Sequence, residues 1–494
     1  MHFLNPMLQN HPMESAFIQT WLNRLADKYS SNVFSNFSSG SASANTEMFI
    51  DVYDSRYEGV IYRDFLHSDS KVQALSICNG QLLSIGTFDA VYQDVKRRPT
   101  MLRVHSLQEG EVITPSCVTV HCYLVESALC RGYADVGLFG LFGLCGSAKR
   151  VMHDYNLSYV FNTLDYLNSS LDKVDCLFCF GLDPYLLNWG KPLSALNVAA
   201  LDELGLERPV CIVSNNFSMA FVNSKLLERI EQSAIGRSPA FSGFIESIKA
   251  LGYVDAEGMS ILPWAFSDKE LLGQLGTLPN TFNTIVDQGK KRGVSHFEVA
   301  LQSHFVELLF DNLTQSTSDK HRFSTYYTYQ THIDELARVD HCEVMKTSQL
   351  ERLDERGSVA IAIGRLATCG YKWVHDYHYD ELFVPCNRIL HNGSNLCLHS
   401  DFPREPLCPL RLAEIATERD IEAMPENYSC DERTLDPGQC LTRLHALAAI
   451  THGAARHAKV ASFNELGGTA HFMKLDHDPL IDNTRWRDIK AALL

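Results

Sequence analysis

The run "VTVHCY" ends an apolar, strand-forming stretch with His121 and, two residues on, Tyr123. Two other stretches share this form. "ARVDHCEVM" presents His341 and "NLCLHSDFP" presents Asp401 after their apolar residues. Imidazole nitrogen and carboxylate oxygen are donors that a divalent ion of the zinc type accepts. Such an ion, held with one position open, lowers the pKa of bound water to about 7. A carboxylate beside that water can then shuttle protons. The three stretches are far apart in sequence, so the chemistry needs a fold that gathers strand ends. Taken singly, each histidine is more often a satisfied core residue than a ligand. "PSCVTVHCYLVES" is thus open between a metal strand that has kept one ligand and a buried strand that happens to hold a histidine.

Other motifs carry less. In "GLFGLFGLCGSAKR" the spacing of Gly143, Gly146 and Lys149 does not make a phosphate loop, and its bulky residues suit a packed turn. "HDYHYD", with His375, Asp376, His378 and Asp380, reads as an exposed polar loop before it reads as a metal cluster. HExxH and GxSxG do not occur.

Strands that deliver ligands from their C-terminal ends into one mouth are the hallmark of parallel α/β barrels. From Pro115 onward, apolar runs ("CLFCFGL", "PVCIVSNN", "NLCLHSDF") alternate with helical stretches ("SKLLERIEQS", "QLERLDERG"). That alternation predicts an α/β fold, with a TIM-like barrel, complete or shortened, as the default at this size. Upstream, Val72–Ser76 and Gln81–Ile85 read as strands joined by an Asn79-Gly80 hairpin turn. "LTRLHALAAITHGAARHAK" reads as one late amphipathic helix. Residues 1–48 are rich in serine and asparagine, and only "SAFIQTWLNRLADKY" has helical periodicity.

A net charge of −16 argues against nucleic acid or an anionic membrane as a partner. No apolar run approaches the roughly 20 residues that span a bilayer, and the N-terminal residues lack a secretory pattern. The 15 cysteines form no regular framework, so reduced thiols and a cytoplasmic location are expected. A small-molecule substrate fits these limits, and a homo-oligomer is left open.

Over residues 70–480 the chain resembles the amidohydrolase superfamily (amidohydrolase family 3), in the branch that contains N-substituted formamide deformylases. "PSCVTVHCYLVES" is similar to that branch's first barrel strand, which carries an HxH pair. "FCFGLDPYLLNWGKPLSALNVAALDELGLERPVCIV" resembles its GWDP and DRPV stretch, and "AFVNSKLL" its WVNSxAL. "ARVDHCEVM" is similar to RIEHAQV, "HSDFPREPLCPL" to GSDxPxxPxxPL, and "GGTAHFMKLDHDPL" to GKxADxxVLDxDPL. The resemblance implies a metal-dependent hydrolase of small-molecule C–N bonds. It implies a (β/α)8 barrel with a small β-sandwich built from both chain ends. The domains expected are a tail over 1–48, sandwich over 49–114, barrel over 115–455 and sandwich again over 456–494. By that resemblance His121, His341 and Asp401 would be the first-, sixth- and eighth-strand ligands of a divalent metal, zinc by preference, and Asp401 would also be the catalytic residue that accepts the proton of the attacking water.

The chain departs from the pattern at the site. Tyr123 replaces the second HxH histidine. "VALQS" stands where a fifth-strand histidine is expected, which puts Val299 at a ligand position, with His296 and His304 nearby. The fourth-strand ligand has no counterpart, and the interval after "GMSILPW" is too short for the missing βα units, each on the order of 30 residues. "FSM" (Phe217, Ser218, Met219) replaces an active-site GHA, so Ser218 and Asn223 join Tyr123 as pocket candidates. The alternative reading is a pseudoenzyme, a catalytically impaired relative that binds a small molecule or a protein in the same pocket.

Overall fold

The computed structural model describes residues 49–67, 70–131, 157–170, 176–182, 195–214, 219–233, 236–255, 258, 261–266, 268–301, 304–315, 320–327, 338–351, 357–368, 370, 382–422, 433–481 and 485–494. The expected N-terminal helix, the turn at Gly137–Arg150, Ser218 and the His375/His378 loop lie outside these residues.

Two small sheets come first. β1 (Phe49–Asp54), β4 (Ala74–Cys78), β5 (Gln81–Gly86) and β6 (Met101–Ser106) form one, in the order β5-β4-β1-β6. Asn79 and Gly80 join β4 to β5 with φ of 50° and 72°. Positive φ at both central residues is what a two-residue hairpin turn needs. The helix Phe88–Lys96, capped by Thr87, buries Val91 and Val95 against Ile50, Val52 and Ala74.

The second sheet draws on distant parts of the chain. β2 (Val60–Tyr62), β3 (Lys71–Val72) and β7 (Val112–Pro115) share it with β19 (Phe472–Leu475) and β20 (Ala491–Leu493), in the order β20-β19-β7-β2-β3. Pro115 pairs with Phe472, and Ser116 N–H donates to the His471 carbonyl at 2.8 Å. Only Ser116 separates β7 from β8 (Cys117–Cys122), so this sheet anchors the base of the His121 strand.

The α/β part contains two three-stranded parallel sheets. One has the order β13-β12-β8, with β12 (Val294–Leu301) and β13 (Phe323–Tyr327). The other has the order β14-β16-β18, with β14 (Arg338–Val339), β16 (Ser358–Ile361) and β18 (Asn395–Leu398). Every residue of β8 and β12 is buried, as expected of parallel strands covered on both faces. A third sheet pairs β9 (Leu177–Leu182) with β10 (Val210–Ser214) in parallel and β10 with β11 (Ala220–Val222) antiparallel. β15 (Val344–Met345) and β17 (Leu382–Phe383) make a short antiparallel pair.

Two expectations change. The stretch taken for a fifth strand is β12, and it is the hydrogen-bonded neighbour of β8, with Val299 paired to Cys122. A fifth strand cannot adjoin the first in an eight-stranded ring. Val299 therefore occupies no fifth-strand ligand position, and the short interval before it is one helix, Asp268–Lys290. The late helix is two, Arg443–Ile450 and His452–His457, broken at Thr451 (φ −117°, ψ −92°). The break lets Gly453 press onto β18, where a Cβ would overlap the Leu396 carbonyl. Cys176 and Cys179 have CxxC spacing at β9, but strand alternation sends them into different core clusters. Neither is in a disulfide, and burial pushes the Cys179 thiol up to about 12.

Candidate metal centre

His121, His341 and Asp401 lie at or just beyond the C-terminal ends of β8, β14 and β18. Each adopts left-handed backbone, with φ of 51°, 60° and 52°. That conformation is costly for residues other than glycine, by about 1–2 kcal/mol each, and such strain gathers at functional sites. For His121 the cause is visible in the ladder. Thr119 pairs with Phe297 and Cys122 with Val299, so Val120 and His121 together face Glu298 alone. This β-bulge re-aims the imidazole at the strand end.

The three side chains converge. His121 Nε2 is 2.9 Å from His341 Nε2, 3.4 Å from Asp401 Oδ1 and 3.0 Å from the Tyr123 hydroxyl. Asp401 Oδ1 is 3.8 Å from His341 Nε2. Donors about 2.0–2.1 Å from a tetrahedral ion stand roughly 3.3 Å apart, so these edges suit one small cation. His121 and Asp401 are buried, while the His341 side chain is 33% exposed and opens the cluster to solvent.

The far side of each ring decides which nitrogen carries a proton. His121 Nδ1 faces Asp340 Oδ2 at 3.6 Å and contacts the Tyr326 hydroxyl. His341 Nδ1 faces Glu343 Oε1 at 3.4 Å. A carboxylate beside Nδ1 holds the proton there and turns the Nε2 lone pair toward the cluster. Two lone pairs facing each other at 2.9 Å need a cation between them, a proton or a metal ion. Among the described residues Asp401 Oδ1 is buried without a hydrogen-bond partner, an acceptor that such a cation would satisfy.

The surrounding groups were not singled out from sequence. Burial acts to raise the Asp340 carboxyl, but hydrogen bonds from His121 and His457 and the Arg338 charge hold it well below its usual range. His457 Nε2 donates to Asp340 at 2.8 Å, and Ser358 Oγ lies 2.7 Å from its Nδ1. Arg338 bridges Asp340 (3.1 Å) and Glu298 (2.9 Å) over the Tyr326 ring. Burial likewise acts to raise Glu343, yet His341 and Arg365 bring it down to about 2. Burial lowers the His341 pKa, but Asp401 and Glu343 outweigh it and the net shift is upward.

His399 was also missed. Its ring packs 5.1 Å, centroid to centroid, from both His121 and His341. Burial, reinforced by those two rings, pushes its pKa well below the usual histidine range. The signal lay in "HSDFP", where histidine stands in the place of the glycine in GSDxP.

The other candidates separate. Tyr123 meets the cluster, its ring edge-on to His121. Asn223 does not act as a pocket residue. Its Oδ1 accepts from Val210 N and Leu226 N, and its Nδ2 donates to the Arg208 carbonyl, so it caps the helix Ser224–Gln232 and ties it to β10. Ser218 lies outside the described residues. His296 turns away to Ser324 Oγ at 2.9 Å, and burial lowers it to about 4. His304 opens the helix His304–Gln315.

Residues 319–480 match the sequence model of the Amidohydrolase family. That stretch carries His341, His399 and Asp401, while His121 lies upstream of it. The fold resembles that of an uncharacterized metal-dependent hydrolase from Pyrococcus horikoshii OT3 (TM-score 0.55, 14% identity, 89% of this chain and 99% of that one). It also resembles an uncharacterized metal-dependent hydrolase from Pyrococcus furiosus (TM-score 0.53, 15% identity, 87% of this chain and 100% of that one). At these identities the likeness is one of fold. No curated protein matches the chain by sequence. Among the described residues no helix is long and apolar enough to cross a membrane.

Proposed function

We propose that the chain is a metal-dependent hydrolase of small-molecule carbon–nitrogen bonds other than peptide bonds, with His121, His341 and Asp401 holding one divalent ion, zinc by preference. The observation that carries this reading is the pair of Nε2 atoms facing each other at 2.9 Å beside the orphaned Asp401 Oδ1. The Amidohydrolase family match over residues 319–480 supports the reaction class, and the resemblance of the sequence motifs to the formamide-deformylase branch suggests N-substituted amides as substrates. The six parallel strands of the two sheets would be the remnant of a barrel, with Tyr123 N–H donating to the Phe402 carbonyl across one seam.

When bound, the ion supplies Lewis acidity and lowers the pKa of water toward about 7. Asp401 then takes a proton from the attacking water as its oxygen bonds to the substrate carbon. It returns that proton to the leaving nitrogen as the C–N bond breaks, which balances the hydrolysis. Asp340 and Glu343 hold the two imidazoles in the tautomer this requires.

One observation favours a second reading, a relative that binds without turning over. The Tyr123 hydroxyl, a poor ligand when neutral, sits 3.0 Å from His121 Nε2 and fills one side of the cluster. Metal content after dialysis into metal-free buffer separates the two, read by elemental mass spectrometry with His121→Ala and Asp401→Ala alongside. The hydrolase reading expects close to one equivalent in the parent and loss in both variants, followed by activity in an amide and formamide screen. A parent that is empty and cannot be reloaded would leave only the second reading.

A further inference from the structure

His399 looks at first like a replacement for the histidine that Tyr123 displaced, since it is fully buried against both cluster histidines. Its hydrogen bonding says otherwise. The backbone N–H of Asp401 points at His399 Nδ1 at 3.2 Å. A backbone amide can only donate, so Nδ1 must offer its lone pair. A neutral imidazole with a lone pair on Nδ1 carries its proton on Nε2. That Nε2 is buried and finds no hydrogen-bond partner among the described residues. A protonated nitrogen cannot ligate a cation, and a buried donor with nothing to bond to costs about 1–3 kcal/mol. The partner it lacks must be an acceptor.

We infer that His399 is a preset hydrogen-bond donor rather than a metal ligand, and that its Nε2–H binds an oxygen of the molecule held at the His121, His341 and Asp401 cluster. The ligand class follows: a small molecule with a carbonyl or carboxylate oxygen, not an amine or a purely apolar compound. A donor fixed before binding, and itself buried, stabilises negative charge that develops on a carbonyl oxygen. Asp401 then has two roles, because its own backbone sets the tautomer of the donor. The inference rests on the cluster binding small molecules as proposed above, but not on which cation it holds.

The test uses the full-length protein labelled with 15N-histidine. His399 is assigned by the resonances that disappear in His399→Gln. Long-range 15N–1H correlations should show a neutral ring protonated on Nε2, and zinc should leave that pattern in place while shifting other histidines. Acetate, as the oxygen-bearing probe, is then titrated calorimetrically. Its affinity should fall about tenfold or more in His399→Phe, and less in His399→Gln, whose amide N–H can still donate. A His399 ring protonated on Nδ1, or an Nε2 that moves to a metal-bound shift with zinc, overturns the inference. So does acetate binding that is unchanged in His399→Phe. Zinc that shifts no histidine would sink the metal reading instead. In that case acetate titrated into the metal-free protein decides the role of His399 through the same two variants.

Discussion

The Nε2 atoms of His121 and His341 face each other at 2.9 Å although the residues lie 220 apart in the chain. Each ring has a carboxylate behind it, Asp340 for one and Glu343 for the other. The pair is therefore built to share a cation, and a proton competes with a metal ion for the place.

That competition gives the first prediction. The His341 pKa is raised because Asp401 and Glu343 outweigh its burial, so its proton is held into the range above the usual 6.5. Zinc must displace it. Calorimetry at pH 7 in buffers of different ionisation enthalpy should show proton release on binding, and affinity should fall as pH drops toward 6. His341→Ala should remove both the binding and the released proton.

Tyr123→His places a second imidazole beside His121. Zinc affinity, measured by competition with a chromophoric chelator, is expected to rise by about tenfold or more. No gain would mean that the Tyr123 position does not face the cation.

Asp340→Asn keeps the shape but removes the charge behind His121 and leaves one acceptor oxygen where Arg338 and His457 now use two. Metal affinity should drop by about 10–100-fold. Far-UV circular dichroism should stay unchanged, which separates loss of orientation from loss of fold.

Glu126, in the first turn of the helix Leu124–Arg131, is buried with neither carboxylate oxygen hydrogen-bonded among the described residues, and burial raises its pKa to about 8. Its folded pKa lies above its unfolded value near 4.5. Folding is therefore favoured by the neutral form, fully so below pH 4.5, and this contribution is lost as pH rises toward 8. Glu126→Gln should be more stable than the parent at pH 8, by up to roughly 4 kcal/mol. The difference should vanish at pH 4.5 and below in urea unfolding.

Asn223→Ala should cost about 1–2 kcal/mol of stability through the lost cap and leave the zinc affinity alone. A change in affinity without a change in stability would return Asn223 to the pocket.

The sequence was most informative where a local rule suffices. Asn79-Gly80 marks a turn because only a few residues accept positive φ twice in succession. Burial writes β8 and β18 as short, mainly apolar runs. His121, His341 and Asp401 stand out because a polar donor closing an apolar strand has few structural uses. Strand adjacency is not local. Nothing in "VSHFEVAL" says that it pairs with β8, and Val299 was misplaced for that reason. His399, Asp340 and His457 were hidden because their importance comes from what packs against them. Asn223 misled because one residue type serves a pocket and a helix cap equally well.

The pairing of Pro115 with Phe472 also bears on how the protein is made. β7 is synthesised early but receives β19 as a neighbour only after the whole α/β region has emerged. At about 5–20 residues per second, that is a wait on the order of tens of seconds. During this time one edge of β7, next to the strand that carries His121, is unprotected. A nascent chain in this state is a natural client for a chaperone, and ribosome stalling before residue 472 should leave a species prone to edge-to-edge aggregation.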